Sequence, residues 1–443
     1  MNMRLTQRNG ASMIIMLIIY CSVLSAHATE FVTGKVVDAV TGKPIKGVQV
    51  ISRNELISSD EKGIFVVRAT GSNQGLSLKA FGYRRGQEAF RPCPLNAPRP
   101  IRLFPFEPKG LYLSFYGVGY KSIRESALQL IQETELNALI IDVKGDRGMI
   151  PYKSAVSLAA EVGGQQIITV REIDELMKSL KAKGIYTIAR IVVFKDNPLA
   201  LAKPEFSVKT QSGAIWRDRE NLAWVDPFRK EIWDYNIEIA IEAARHGFDE
   251  IQFDYVRFPD TPGLQFSEPN TEENRVKAIC GFLSEAKHRL TPYNVFVAAD
   301  IFGYVCWNLN DTWIGQKLED IVSNVDYLSP MLYPSGFRYG IPGYRIPVAN
   351  PYEIVYRSLK RAQERTQLVA SRFRPWLQAF RDYAFDKRYF KGKEIRDQIN
   401  AAREFGSGGW MLWNPCNAYS SSGLKKEEPL SNEAWVSFVS KKS

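Results

Sequence analysis

The sequence predicts an α/β fold, a (β/α)8 TIM barrel preceded by a small all-β sandwich. Three observations carry this. Eight apolar, β-branched runs between residues 111 and 413 alternate with helical patterns, as eight parallel strands wrapped by helices require. Those runs are apolar throughout instead of alternating, so both faces of each strand are buried. Residues 31–104 instead hold short strands separated by turns rich in Gly and Pro, the pattern of a sandwich. A doubly wound open sheet is the alternative for the larger part.

Taken in order, residues 1–28 read as an export signal. Arg4 and Arg8 form a positive start, 13–24 an apolar stretch, and Ala26 and Ala28 put small residues at both cleavage-determining positions. Cleavage after Ala28 is expected, with an uncleaved anchor as the alternative. Tyr20 and Ile19 before Cys21 are too bulky for a lipoprotein site. Cleavage removes two arginines and no acids, leaving 56 basic against 48 acidic residues, a net charge of +8. The mature protein is therefore expected to be secreted or periplasmic, with cell-envelope association open and no membrane span left. Its basic residues are scattered, with no basic run interleaved with aromatics, so nucleic acid is not an expected partner. Hydrophobic content of 45% and charged content of 24% exclude disorder and collagen.

Sandwich strands are expected at 31–37, 47–51, 64–67, 76–80 and 101–104. The stretches 34–48 (GKVVDAVTGKPIKGV) and 59–65 (SDEKGIF) resemble the carboxypeptidase-regulatory, transthyretin-like sandwich family, which implies an accessory role. The domains are thus expected at 29–104 and 105–443, joined through a proline-rich stretch at 92–108.

Barrel strands are expected at 111–116, 138–143, 186–194, 250–255, 294–301, 326–332, 376–380 and 409–413. Helices are expected at 122–133, 171–183, 228–245, 271–289, 351–365 and 393–404, with a shorter one at 312–320. Thr169, Asp226-Pro227 and Asn350-Pro351 read as starts. Lys183-Gly184 and His246-Gly247 read as stops.

Barrel active sites lie at the C-terminal strand ends. Four successive strands place carboxylates there: Asp142 (with Lys144 and Asp146), Asp196 (after Lys195), Asp254 (before Tyr255 and Arg257) and Asp300. Buried carboxylates need partners or a shared purpose, and Lys144, Lys195, Arg257 and Tyr255 are the nearby candidates. For Asp142 and Asp196 a helix cap or a structural ion pair reads as well as a functional role. Asp254 and Asp300 are too far from the next helix to cap it. Tyr116, Tyr333, Trp376, Trp410, Trp413 and other aromatics accompany them, and flat apolar rings suit the C–H faces of sugars. Carboxylates and aromatics on one rim are what glycoside hydrolysis needs. Strands four and five are neighbours about 4.8 Å apart, so Asp254 as nucleophile and Asp300 as acid/base fit a retaining mechanism. Asp142 paired with Asp300 would instead favour inversion. Asp142, Lys144, Asp196, Tyr255, Arg257, Tyr333, Gln378 and Trp413 are the candidate substrate contacts. The other reading is a non-catalytic glycan-binding barrel.

The run 247–259 (GFDEIQFDYVRFP), with 140–144 (IIDVK) before it and 299–303 (ADIFG) after it, resembles a family of glycosyl-hydrolase barrel domains. The resemblance spans about 109–413. Likeness to the α-amylase layout implies Asp254 as strand-four nucleophile and Asp300 as strand-five acid/base. The chain departs from that layout with Gln252 where the amylase pattern has Arg, Asp300 where it has Glu, and Gln378 where it has a carboxylate, Asp382 lying four residues on.

Other chemistries find little support. Only His246 and His288 survive cleavage, both on expected outer helices, so a His-dependent triad or His-ligated zinc is excluded. Gly117 and Gly119 are followed by Ser122 where a dinucleotide fingerprint needs glycine. Asp142 and Asp146 offer carboxylates to calcium but without EF-hand spacing. No cofactor or metal is expected. Cys93, Cys280, Cys306 and Cys416 form no CxxC pair. A Cys306–Cys416 bridge and free thiols are equally open.

Overall fold

A computed structural model describes residues 30–52, 55–69, 75–89 and 100–426. The expected signal segment and Cys93 lie outside the described residues. Seven strands come first: β1 (Glu30–Asp38), β2 (Gln49–Ser52), β3 (Glu55–Ser58), β4 (Ile64–Ala69), β5 (Gly75–Lys79), β6 (Gly86–Ala89) and β7 (Pro100–Leu103). They form two sheets, ordered β4-β1-β7 and β3-β2-β5-β6. Val36, Phe65, Val67 and Leu103 of one sheet pack with Val50, Leu76 and Leu78 of the other in a shared core, so the sheets lie face to face.

Eight parallel strands then close on themselves: β8 (Lys109–Leu113), β9 (Ala138–Lys144), β10 (Tyr186–Val192), β11 (Glu250–Asp254), β12 (Phe296–Phe302), β13 (Tyr327–Met331), β14 (Trp376–Gln378) and β15 (Trp410–Trp413), with β15 back on β8. This is the barrel the sequence predicts, not an open sheet. The helices are α1 (Phe115–Gly119), α2 (Lys121–Glu133), α3 (Ser157–Glu161), α4 (Ile173–Ala182), α5 (Asn197–Ala202), α6 (Lys230–Arg245), α7 (Glu272–Leu290), α8 (Leu318–Ile321), α9 (Pro351–Thr366) and α10 (Gly392–Phe405). None is long and apolar enough to cross a membrane among the described residues.

Local hydrogen bonds explain the departures. The first barrel strand stops at Leu113 because the Ser114 hydroxyl accepts from Gly117 N and caps α1. The expected helix at 312–320 shrinks to α8 because the Asp311 carboxylate takes the amides of Trp313 and Gly315 into a turn. Thr169 does not cap α4; its hydroxyl donates to Phe115 O. Cys306 is buried, Cys416 is exposed, and both are free thiols, so the bridge between them is not made.

Strand alternation sends Ile251 and Phe253 of β11 outward into the helix layer, while Glu250, Gln252 and Asp254 point inward at successive levels. Glu250 marks the N-terminal floor. It is ion-paired with Arg374 and accepts from Tyr186 OH at 2.9 Å. The Arg374 guanidinium stacks on Tyr327, 3.3 Å from the ring centre. The two-sheet unit covers this floor. Lys79 Nζ donates to Asp326 Oδ2 (2.8 Å) and Val295 O (2.9 Å). Arg84 donates to Gly184 O, and Arg85 to Phe248 O and Tyr293 O. All these acceptors stand at N-terminal strand ends, leaving the opposite mouth open.

Candidate active site at the barrel mouth

The mouth is organised by a residue that the sequence reading passed over, Arg190 of β10. It is fully buried and inward-facing. Nη1 donates to Asp142 Oδ1 (2.7 Å), and Nη2 to Asp146 Oδ1 (2.7 Å) and Asp254 Oδ2 (2.6 Å). Nε also donates to Asp254 Oδ2, at 2.9 Å. The guanidinium further lies over Trp413 and Tyr112, 4.8 and 5.3 Å from their centres. Burial alone would favour discharging Arg190. The carboxylates of Asp146, Asp254 and Asp142 outweigh it and hold the charge firmly in place. One signal was available in the sequence: a lone arginine sharing the inward period of Tyr186 and Ile188 in an otherwise apolar strand must have buried partners.

One guanidinium does not neutralise every carboxylate nearby. Asp142 is pushed up to about 6, by burial and by Asp146, against the pull of Arg190 and Tyr112 OH. Asp300 is pushed well above the usual carboxylate range, by burial first and then by the charge of Asp254. Its Oδ1 accepts from Trp376 Nε1 at 2.8 Å, while Oδ2 has no partner among the described residues. Asp254 differs. Arg190 holds its Oδ2, and Tyr255 N donates to its Oδ1 at 2.6 Å. Tyr255 itself has φ +47°, a costly conformation for a bulky residue.

The strand register puts the two acids side by side. Gln252 pairs with Ala298 and Phe253 with Ala299, so the next level holds Asp254 and Asp300, both inward. Above them a cavity of about 180 Å³ opens, lined by Arg190, Asp254, Tyr255, Arg257, Phe302, Met331, Tyr333, Trp376 and Trp413. Trp376 and Trp413 meet edge to face, 5.4 Å between centres. Arg257 stacks between Trp224 (4.9 Å) and Tyr255 (5.3 Å).

Of the candidate residues, Asp254, Tyr255, Arg257, Tyr333 and Trp413 reach the cavity. Asp300 lies buried behind Trp376, and Asp142 behind Arg190. Lys144 and Asp196 form a buried ion pair at 2.6 Å, and Asp196 also caps α5 through Leu199 N. Gln378 is bound to Ser335 and Phe380 O. Lys195 pairs with Glu220 and Asp218, outside the Arg190 network. Among the described residues no cluster of His, Cys, Asp and Glu could hold a metal ion.

No curated protein matches the chain. A hypothetical protein from Ruminiclostridium thermocellum ATCC 27405 is 38% identical over 43% of this chain and 96% of its own, with a TM-score of 0.39. The PgaB (BpsB) glycoside hydrolase domain of Bordetella bronchiseptica is 15% identical over 71% of this chain and 95% of its own, with a TM-score of 0.51, a likeness of fold. The family described as "Putative glycosyl hydrolase domain" matches residues 110–419, from β8 past β15. That span is most of the chain and all of the barrel, so the protein belongs to this family of glycoside hydrolases.

Proposed function

We propose that the protein is an exported glycosidase that cleaves a polysaccharide at this cavity with retention of configuration. Asp254 is the nucleophile and Asp300 the acid/base. One observation carries the reading: two carboxyls at the same level of adjacent strands, one ion-paired to Arg190 and the other favoured in its protonated form. An acid that holds its proton beside an ion-paired carboxylate is the arrangement such a pair of carboxyls needs. Neighbouring strands hold carboxyls near the roughly 5–5.5 Å spacing of retaining enzymes.

Asp254 attacks the anomeric carbon, and Asp300, buried behind Trp376 in this structure, protonates the leaving oxygen once the Trp376 indole that it holds turns aside. Water, deprotonated by Asp300, then releases the sugar from Asp254. Tyr255, Tyr333, Trp376 and Trp413 give flat walls for the ring, and Arg257 a donor at the rim. The Arg190 network with Asp142 and Asp146 fixes Asp254 against rotation. The export half rests on residues 1–28 and is tested by sequencing the mature N-terminus, which should begin at Thr29.

The decisive experiment follows hydrolysis of aryl glycosides and polysaccharides by NMR. The first-formed product should keep the substrate's anomeric configuration, and Asp254→Asn should abolish turnover while leaving sugar binding intact. An inverted first product removes the double displacement. Full activity of Asp254→Asn removes the assignment altogether.

A further inference from the structure

Trp313 stands in the loop after β12, at the same end of the barrel as Asp254, and is 73% exposed. Its backbone is held in the left-handed region, with φ +61° at Trp313 and +58° at Thr312. Each such non-glycine residue costs on the order of 1 kcal/mol or more, so two in succession persist only where the surroundings impose them. Asp311 imposes them here. Its buried carboxylate accepts from the amides of Trp313 and Gly315, 3.0 Å each, and pairs with Arg275 at 2.6 and 3.0 Å. The buried Arg275 guanidinium lies against the indole, 5.6 Å from the ring centre.

The turn is also fastened to the cavity walls. Ile314 O accepts from Phe258 N at 2.9 Å, next to Arg257. Gln316 accepts from Phe302 N at 2.9 Å and donates to Asp300 O at 3.1 Å. Trp313 is therefore fixed at the rim between the exits of β11 and β12. A ring of this size would stabilise the fold if buried. This loop uses a strained backbone and a buried ion pair to keep it in solvent.

We infer that Trp313 is a sugar-stacking platform outside the cavity, holding one ring of a polymer while a neighbouring unit of the same chain occupies the cavity beside Asp254. The inference rests on the glycosidase reading and extends it: the substrate is a chain of several sugars, gripped beyond the bond that is cut.

The test compares wild type, Trp313→Ala and Trp313→Phe on glycol chitin, carboxymethyl-cellulose, laminarin and polygalacturonate, and on the matching aryl monoglycosides. Hydrolysis and mobility in polysaccharide-containing gels are measured together. On the polymer that wild type cleaves, Trp313→Ala should raise KM about tenfold with kcat within twofold, and should lose gel retardation. Trp313→Phe should restore most of both. Monoglycoside hydrolysis and melting temperature should not change. Unaltered polymer kinetics and retardation in Trp313→Ala overturn the platform while leaving the glycosidase reading standing. Equal losses on polymer and monoglycoside also overturn it, by placing the effect inside the cavity. A change of oligomeric state in Trp313→Ala, with glycan binding intact, would make the ring a contact between copies of this chain. If wild type neither retards on nor cleaves any of these glycans, both readings fall.

Discussion

Asp300 shows how one side chain couples chemistry to stability. In an unfolded chain its carboxyl ionises near pH 4. In the fold, burial and Asp254 push that ionisation well upward. Between the two values the folded state holds a proton that the unfolded state has lost, so stability falls as pH rises through the interval. Asn keeps the shape without that dependence. Asp300→Asn is therefore expected to melt above wild type at pH 7, with the gap closing towards pH 4, while turnover drops by roughly 10²–10⁴-fold. Calorimetry over that pH range checks it: a variant that melts lower at pH 7 would contradict the protonated, buried acid. The same shift places the alkaline limb of activity above the ordinary carboxylate range.

Among elements, the segment after β9 matters most, because it carries Asp146 to Arg190. It turns back through Gly148 at φ +75°, where a Cβ would come within 2.5 Å of Asp196 Oδ1 and 2.8 Å of Pro198 Cδ. Gly148→Ala is therefore expected to cost about 1–3 kcal/mol and to lower activity by loosening Asp146 from Arg190. Denaturant melts and kinetics check both, and an unchanged midpoint would mean that the turn yields freely. The strands themselves were legible in the sequence. Runs rich in apolar residues marked all eight within a few residues, since burial on both faces leaves that trace in composition. The inward carboxylates were legible for the same reason. Arg190 was legible as a buried charge, but its partners were not, because they come from β9, the segment after β9, and β11, and only closure of the barrel joins them. The short helix α3, which has no side-chain cap, was not legible, nor was the turn at Asp311, whose side-chain hydrogen bonds carry no period. Lys144 and Lys195 were expected to partner the strand-end carboxylates. Lys144 does so with Asp196, whereas Lys195 finds Asp218 and Glu220 instead.

For the whole molecule, the contact between the two-sheet unit and the barrel floor turns on Lys79. It neutralises Asp326, which is fully buried yet held below the usual carboxylate range, because Lys79 and Lys287 outweigh the cost of burial. Lys79→Met leaves that carboxylate with Lys287, 3.5 Å away, and the more distant charge of Arg372. A loss of about 3 kcal/mol is expected at pH 7, with little change in kcat. A lowered carboxyl contributes stability above its unfolded value and loses it as pH falls through its folded value. The difference between Lys79→Met and wild type should therefore narrow in acid. Equal melting at neutral pH would show that the two units hold together by other means.

That arrangement also fixes which way the molecule faces. A barrel strand of seven residues such as β10 is about 23 Å long, so whatever is attached to the two-sheet unit sits across the barrel from the Asp254 cavity. Tethered through the two-sheet unit, the protein is expected to keep its Asp254 cavity facing the medium.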